Sequence, residues 1–270
     1  MNQYEENFYH TIIKRTFPDA SNIRKPDVLG WVANAIYIID TNNKTLVCKF
    51  NKKEIILHNE YVSNLLNYHN ISIPKTTAHS LYGTWFETYT YRPEKTLHQL
   101  IQEGLSDEHI FTAYKKALEI QNKISQIDIS NLSIPYCPRF IDIIKCYKNS
   151  SLYRKIFYST SVFGKQHLLH NDIYPRNILY SPETQEVSLI DIDSISTSNF
   201  IIPAISFLHH YPCKNYDKLA QEYQNSTGHK LNIPLLRIAN KTLNTPSAIK
   251  HKIIDVAKRF NNLLTPCNFI

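Results

Sequence analysis

The stretch "HNDIYPRNIL", His170 to Leu179, followed ten residues later by "LIDID", Leu189 to Asp193, decides how this chain is read. Asp172 and Asn177 are five apart, and Asp191 closes the apolar run "VSLI". Between them Ser181-Pro182-Glu183-Thr184 has turn chemistry, so the spacing predicts a short hairpin with Val187 to Ile192 as its second strand. A carboxylate at the first position can accept a hydroxyl proton. An amide oxygen and a second carboxylate held across a hairpin offer hard oxygen ligands to one cation. Magnesium with a nucleotide is the natural guest, because phosphoryl transfer asks a protein mainly for positioning and charge neutralisation. With a lysine on the phosphates these three groups form a nearly complete site.

Upstream, "AIYII" and "TLVCKF" flank the polar Asp40-Thr41-Asn42-Asn43 turn, an antiparallel ribbon with Gly30 at its entrance. Lys53 to Tyr68 then places Ile56, Val62, Leu65 and Leu66 at amphipathic-helix spacing. "IPKTTAHS" and "GTWFETYTY" read as two further strands. Residues 1–93 are therefore expected to form a small, mostly antiparallel sheet carrying one main helix. After Arg92 to Lys95 the pattern changes: Ser106 is an N-cap with Asp107 and Glu108 behind it, opening a long helix to about Ser125. More helical sequence lies near Arg139 to Tyr147, and the chain beyond Ile195 reads as helices and loops. The expected organisation is an α+β chain of two lobes, 1–93 and 94–270.

These residues carry a resemblance. "HNDIYPRNIL" with "LIDID" resembles the H-x-D-x-x-P-x-N-[IL] and [IL]-D-x-[DE] motifs of the aminoglycoside phosphotransferase and choline kinase superfamily, protein-kinase-like enzymes that phosphorylate small-molecule hydroxyls. "GWVANAIYII" looks like that family's nucleotide loop and strand, with Gly30 and Asn34 at the matching places. Lys49 in "VCKF" stands where the family has its phosphate-binding lysine, and Glu60 where it has the ion-pair partner of that lysine. The resemblance spans roughly residues 28 to 195. It implies ATP and Mg2+ as cofactors, Asp172 as the base, and Asn177 and Asp191 as metal ligands. Thr88, Tyr89, Thr90 and Tyr91 fall at the adenine-binding hinge, His170 shapes the loop, and Asp193 is either a hairpin-end cap or a metal or orienting residue. Tyr174 departs from the pattern, standing where small-molecule kinases commonly have histidine, and the nucleotide loop has a single glycine. Those departures leave a nucleotide-binding pseudokinase open beside an O-phosphotransferase acting on a small hydroxylated molecule. The basic end of the chain leaves open an atypical protein or lipid kinase.

Composition fits a folded enzyme: 270 residues, 43% hydrophobic and 20% charged, which disfavours disordered and fibrous classes. The five cysteines (Cys48, Cys137, Cys146, Cys213, Cys267) are scattered and without a C-x-x-C pair, favouring reduced thiols over a disulfide frame. No apolar run is long enough to span a bilayer and Met1 to Arg15 is polar, so a cytoplasmic location is expected. Most of the +7 net charge lies beyond Ser194, where nine Lys/Arg face three acids (Asp217, Glu222, Asp255). That segment is expected to be a solvated basic surface or to contact an anionic partner. No arginine-rich run or zinc-finger spacing points to nucleic acid.

Overall fold

Alternation along two neighbouring strands sorts one sheet into an apolar face and a chemical one. In the computed structural model, which describes residues 3–26, 35–132, 134, 166–198, 211 and 216–228, an antiparallel sheet has the order β1-β2-β3-β5-β4. Its strands are Asn22–Arg24 (β1), Ile36–Asp40 (β2), Thr45–Phe50 (β3), Thr77–Leu81 (β4) and Thr84–Thr90 (β5). Tyr37 lies opposite Cys48, Ile39 opposite Leu46, and Phe50 opposite Phe86. Because successive side chains point to opposite faces, these six share one face. Helix α1 (Gln3–Thr16) lays Ile12 and Ile13 onto it, with Tyr9 packed against Phe50. Each such fully buried large side chain contributes roughly 1.5–3 kcal/mol.

The residues between them face the other way: Val47 lies opposite Tyr89 and Lys49 opposite Glu87. Helix α2 (Lys53–Tyr68) buries Ile56, Asn59, Val62, Ser63 and Leu66, and Asn59 reaches Glu87 on this second face. The sheet therefore carries two helices where one was expected. The added one, α1, is polar and acidic at its start, and its buried stripe is limited to Ile12, Ile13 and the partly buried Tyr9 and Phe17. Glu5 and Glu6 in its first turn and Lys14 and Arg15 in its last complement the helix dipole.

Beyond β5 the chain makes α3 (Leu97–Gln102), started by a capping box between Thr96 and Gln99. The hairpin of Ile178–Tyr180 (β7) and Val187–Leu189 (β8) joins the same part of the molecule. Tyr180 N–H donates to Lys95 O at 3.2 Å, and Arg92 Nη1 donates to Ser188 Oγ at 2.8 Å. These bonds hold the hairpin against the exit of β5.

The described residues group into two compact units, drawn from 1–104 with 176–193 and from 105–175 with 194–270. In the second unit, α4 (Asp107–Ser125) is capped by Ser106, whose Oγ accepts from His109 N–H. It packs its apolar stripe against α5 (Tyr216–Thr227) and against His167–His170 (β6), which pairs with Ile195–Ser198 (β9). Tyr211 and Tyr223 are buried core side chains, Tyr211 meeting Tyr114 edge-on. The helical sequence near 139–147 lies outside the described residues. Among the described residues no helix is long and apolar enough to cross a membrane.

Candidate functional site

Lys49 is the buried cation of the first unit's chemical face. Its Nζ donates to Asp191 Oδ1 at 2.7 Å and to Asp193 Oδ2 at 2.8 Å, across more than 140 residues of sequence. Burial works to lower the lysine's pKa, but the carboxylates of Asp191, Asp193 and Glu87 together hold it above its ordinary value. The ammonium therefore stays charged. Glu87, directly opposite on β5, takes Asn59 Nδ2 on both carboxylate oxygens, at 2.8 and 3.1 Å. Desolvation pushes Glu87 up to about 7 against the pull of Lys49. Lys49, Glu87, Asp191 and Asp193, with Pro74, Thr76 and Tyr89, line one cleft of the unit.

The hairpin brings Asp191 into this cleft by a local irregularity. The β8 ladder stops at Leu189, short of the expected Ile192, because Asp191 adopts φ +63°, the left-handed region that aspartate tolerates better than β-branched residues. Ile190 N–H donates to Asn177 O at 3.0 Å, so Asn177 lies across the ladder one step from Asp191. The donor chemistry suits Mg2+, which typically takes one or two protein oxygens and completes its shell with phosphates and water. Among the described residues no three His, Cys, Asp or Glu side chains group into a metal cage.

The expected Lys49–Glu60 pair is not formed. Glu60 Oε1 accepts from Ala78 N–H at 2.8 Å, tying α2 to β4, while Asn59, one residue earlier, occupies the inward helical position. One residue is 100° of helix rotation, enough to carry Glu60 away from the lysine. Of the expected hinge, Tyr89 lines the cleft, whereas the Thr88 side chain lies on the sheet's other face, 2.8 Å from His79 Nε2. Thr90 ends β5, and Tyr91 N–H donates to Thr45 O. Gly30 and Asn34 lie outside the described residues.

In the second unit His170 is fully buried. The backbone N–H of Asp172 donates to its Nδ1 at 3.3 Å, and Ser194 Oγ lies 3.0 Å from the same nitrogen. Nδ1 is thus an acceptor and the proton belongs on Nε2. Gln121 on α4 accepts the His170 backbone N–H. The histidine sets the loop that presents Asp172, which is partly exposed, as is Tyr174.

Three residues assigned no role from the sequence hold this architecture together. Asn171 Nδ2 donates to the carbonyls of Leu169, Ser194 and Ser196 and its Oδ1 accepts from Ser198 Oγ, which staples β6 to β9. Asn59 and Glu87 assemble around Lys49. A signal for both existed: a polar residue inside the buried stripe Ile56, Val62, Leu66, and an acid inside an apolar strand.

No family model matches this chain, and no curated protein matches it by sequence. Solved structures do. An aminoglycoside-3'-phosphotransferase of type VIII superposes with a TM-score of 0.64 at 11% identity, covering 94% of this chain and 99% of that one. The choline kinase LicA from Streptococcus pneumoniae gives 0.59 at 15%, covering 95% and 98%. The GDP and kanamycin complex of APH(2")-IIia gives 0.62 at 16%, covering 97% and 99%. The chain has the protein-kinase-like α+β fold that these proteins share.

Proposed function

We infer that the chain is an ATP- and Mg2+-dependent O-phosphotransferase acting on a hydroxyl of a small molecule. The observation that carries this reading is the buried Lys49 ammonium 2.7 Å from Asp191, at the end of a hairpin whose other edge is Asn177. A cation for phosphates, a carboxylate beside it in the cleft and an amide across the adjoining ladder are what a nucleotide triphosphate with magnesium demands. Solved structures with this fold include a choline kinase and aminoglycoside phosphotransferases bound to ADP or GDP, which supports a nucleotide in the cleft.

In this reading Lys49 binds the α- and β-phosphates and Tyr89 to Tyr91 border the base. Asn177 and Asp191 hold Mg2+, which when bound neutralises charge on the phosphates. Asp172, on the loop shaped by His170, orients the acceptor hydroxyl and takes its proton. ATP turnover against a panel of alcohols, amino sugars and choline analogues tests the assignment. Phosphotransfer to at least one class is expected, lost about a thousandfold in Asp172→Ala and Asp191→Ala, in line with removal of a base or of charge stabilisation. Turnover that survives Asp191→Ala removes the metal role.

A further inference from the structure

The contact between α2 and the Lys49 strand runs through an amide and a carboxylate borrowed from the next strand. Asn59 Nδ2 lies 2.8 and 3.1 Å from the two Glu87 oxygens and 2.6 Å from Asp193 Oδ1. Three carboxylate oxygens can be met only by N–H groups, so the amide orientation is determined. Asn59 Oδ1 is left buried without a partner. An unsatisfied buried carbonyl is destabilising, and a leucine would fill this inward position on the stripe without that defect. The amide makes sense only as a neutral donor between two carboxylates.

The three acids around Lys49 are not equivalent. The Asp191 side chain is 43% exposed and Asp193 26%, whereas that of Lys49 is 9% exposed. Asp193 is gripped on both oxygens, by Lys49 and by Asn59, with Asn51 Nδ2 at 3.5 Å. Glu87 is fully buried opposite Lys49.

We propose that Asn59, Glu87 and Asp193 are the positioning set for Lys49: Asn59 clamps Glu87 and Asp193, and these two carboxylates aim the lysine. The helix acid at Glu60 plays no part. The inference rests on the nucleotide reading of the cleft and adds to it how the lysine is aimed.

A charge relocation tests it. The affinity of MgADP is measured by fluorescent-analogue displacement in the wild type, Glu87→Gln, Asn59→Glu, the double variant Asn59→Glu/Glu87→Gln, and Glu60→Gln, with circular dichroism confirming the fold of each. At pH 8, above the Glu87 pKa of about 7, each of the first two single variants should bind about tenfold more weakly, one having lost a counter-charge and the other having gained a repelling one. The double variant, with one acid returned to the helix, should recover to within about threefold of wild type, a coupling that general destabilisation does not produce. Glu60→Gln should bind like wild type. If Glu87→Gln binds as tightly as wild type, or if the double variant is as weak as the two single losses multiplied, the positioning set is wrong while the nucleotide reading stands. A wild type that binds no nucleotide removes both.

Discussion

Glu87 sits where burial and charge compete most directly, with desolvation opposing ionisation and Lys49 favouring it. Its folded pKa of about 7 lies above the ordinary 4.5, so between those values the folded chain keeps a proton that the unfolded chain has released. Stability contributed by this proton is complete below 4.5 and is lost as the pH rises through about 7. His79, whose pKa burial lowers, contributes a slope of opposite sign. The comparison is therefore between wild type and Glu87→Gln, which share His79. Urea midpoints taken from pH 4.5 to 7.5 should show the wild type losing stability relative to the variant across that window; parallel profiles would mean that Glu87 stays ionised. At this scale the sequence made Lys49, Asp172, Asn177 and Asp191 visible because each is a polar group at a motif spacing. Asn59 and Glu87 each stood out only as a polar residue in an apolar pattern, and their pairing was invisible because they lie 28 residues apart and meet only across the helix–sheet interface.

Among the elements, α2, α4 and the β2–β3 ribbon follow their sequence signals to within a residue or two, since each has its own periodicity, turn or cap. Helix α1 does not advertise itself in this way. Its helicity is sustained by two isoleucines seated on Tyr37, Phe50 and their neighbours, a surface that exists only once the strands have paired. Ile13→Ala should therefore destabilise the folded chain by about 3 kcal/mol, within the usual range for emptying a fully buried isoleucine site. Equilibrium urea unfolding measures it. A change below about 0.5 kcal/mol would mean that α1 is peripheral to the sheet. The early end of β8 belongs to this scale too: the left-handed turn at Asp191 is a backbone decision, and apolar patterning through Ile192 concealed it.

For the whole molecule, the consequence of the nucleotide reading is linkage between binding and folding. MgATP at a hundred times its dissociation constant should stabilise the chain by about 2.7 kcal/mol. That appears as a rise of several degrees in the thermal midpoint. Lys49→Ala should abolish the rise, and so should chelation of the metal if Asp191 and Asn177 act through it. A shift that persists in Lys49→Ala would place the nucleotide elsewhere.

What the sequence determined by itself was the class of fold and the spacing of its candidate groups: two carboxylates and an amide at set intervals, a lysine in a strand, and a hairpin turn between two of them. Those are local properties, carried by spacing and turn residues, and the structural comparisons agree with the fold they imply. Only the tertiary structure decided which acids Lys49 meets. A helix can present either of two adjacent residues inward, and the buried stripe Ile56, Val62 and Leu66 turned Asn59 toward the sheet and Glu60 away. Strand register then set Glu87 opposite Lys49. Rotation and register are settled by packing between distant segments, and no local pattern encodes them.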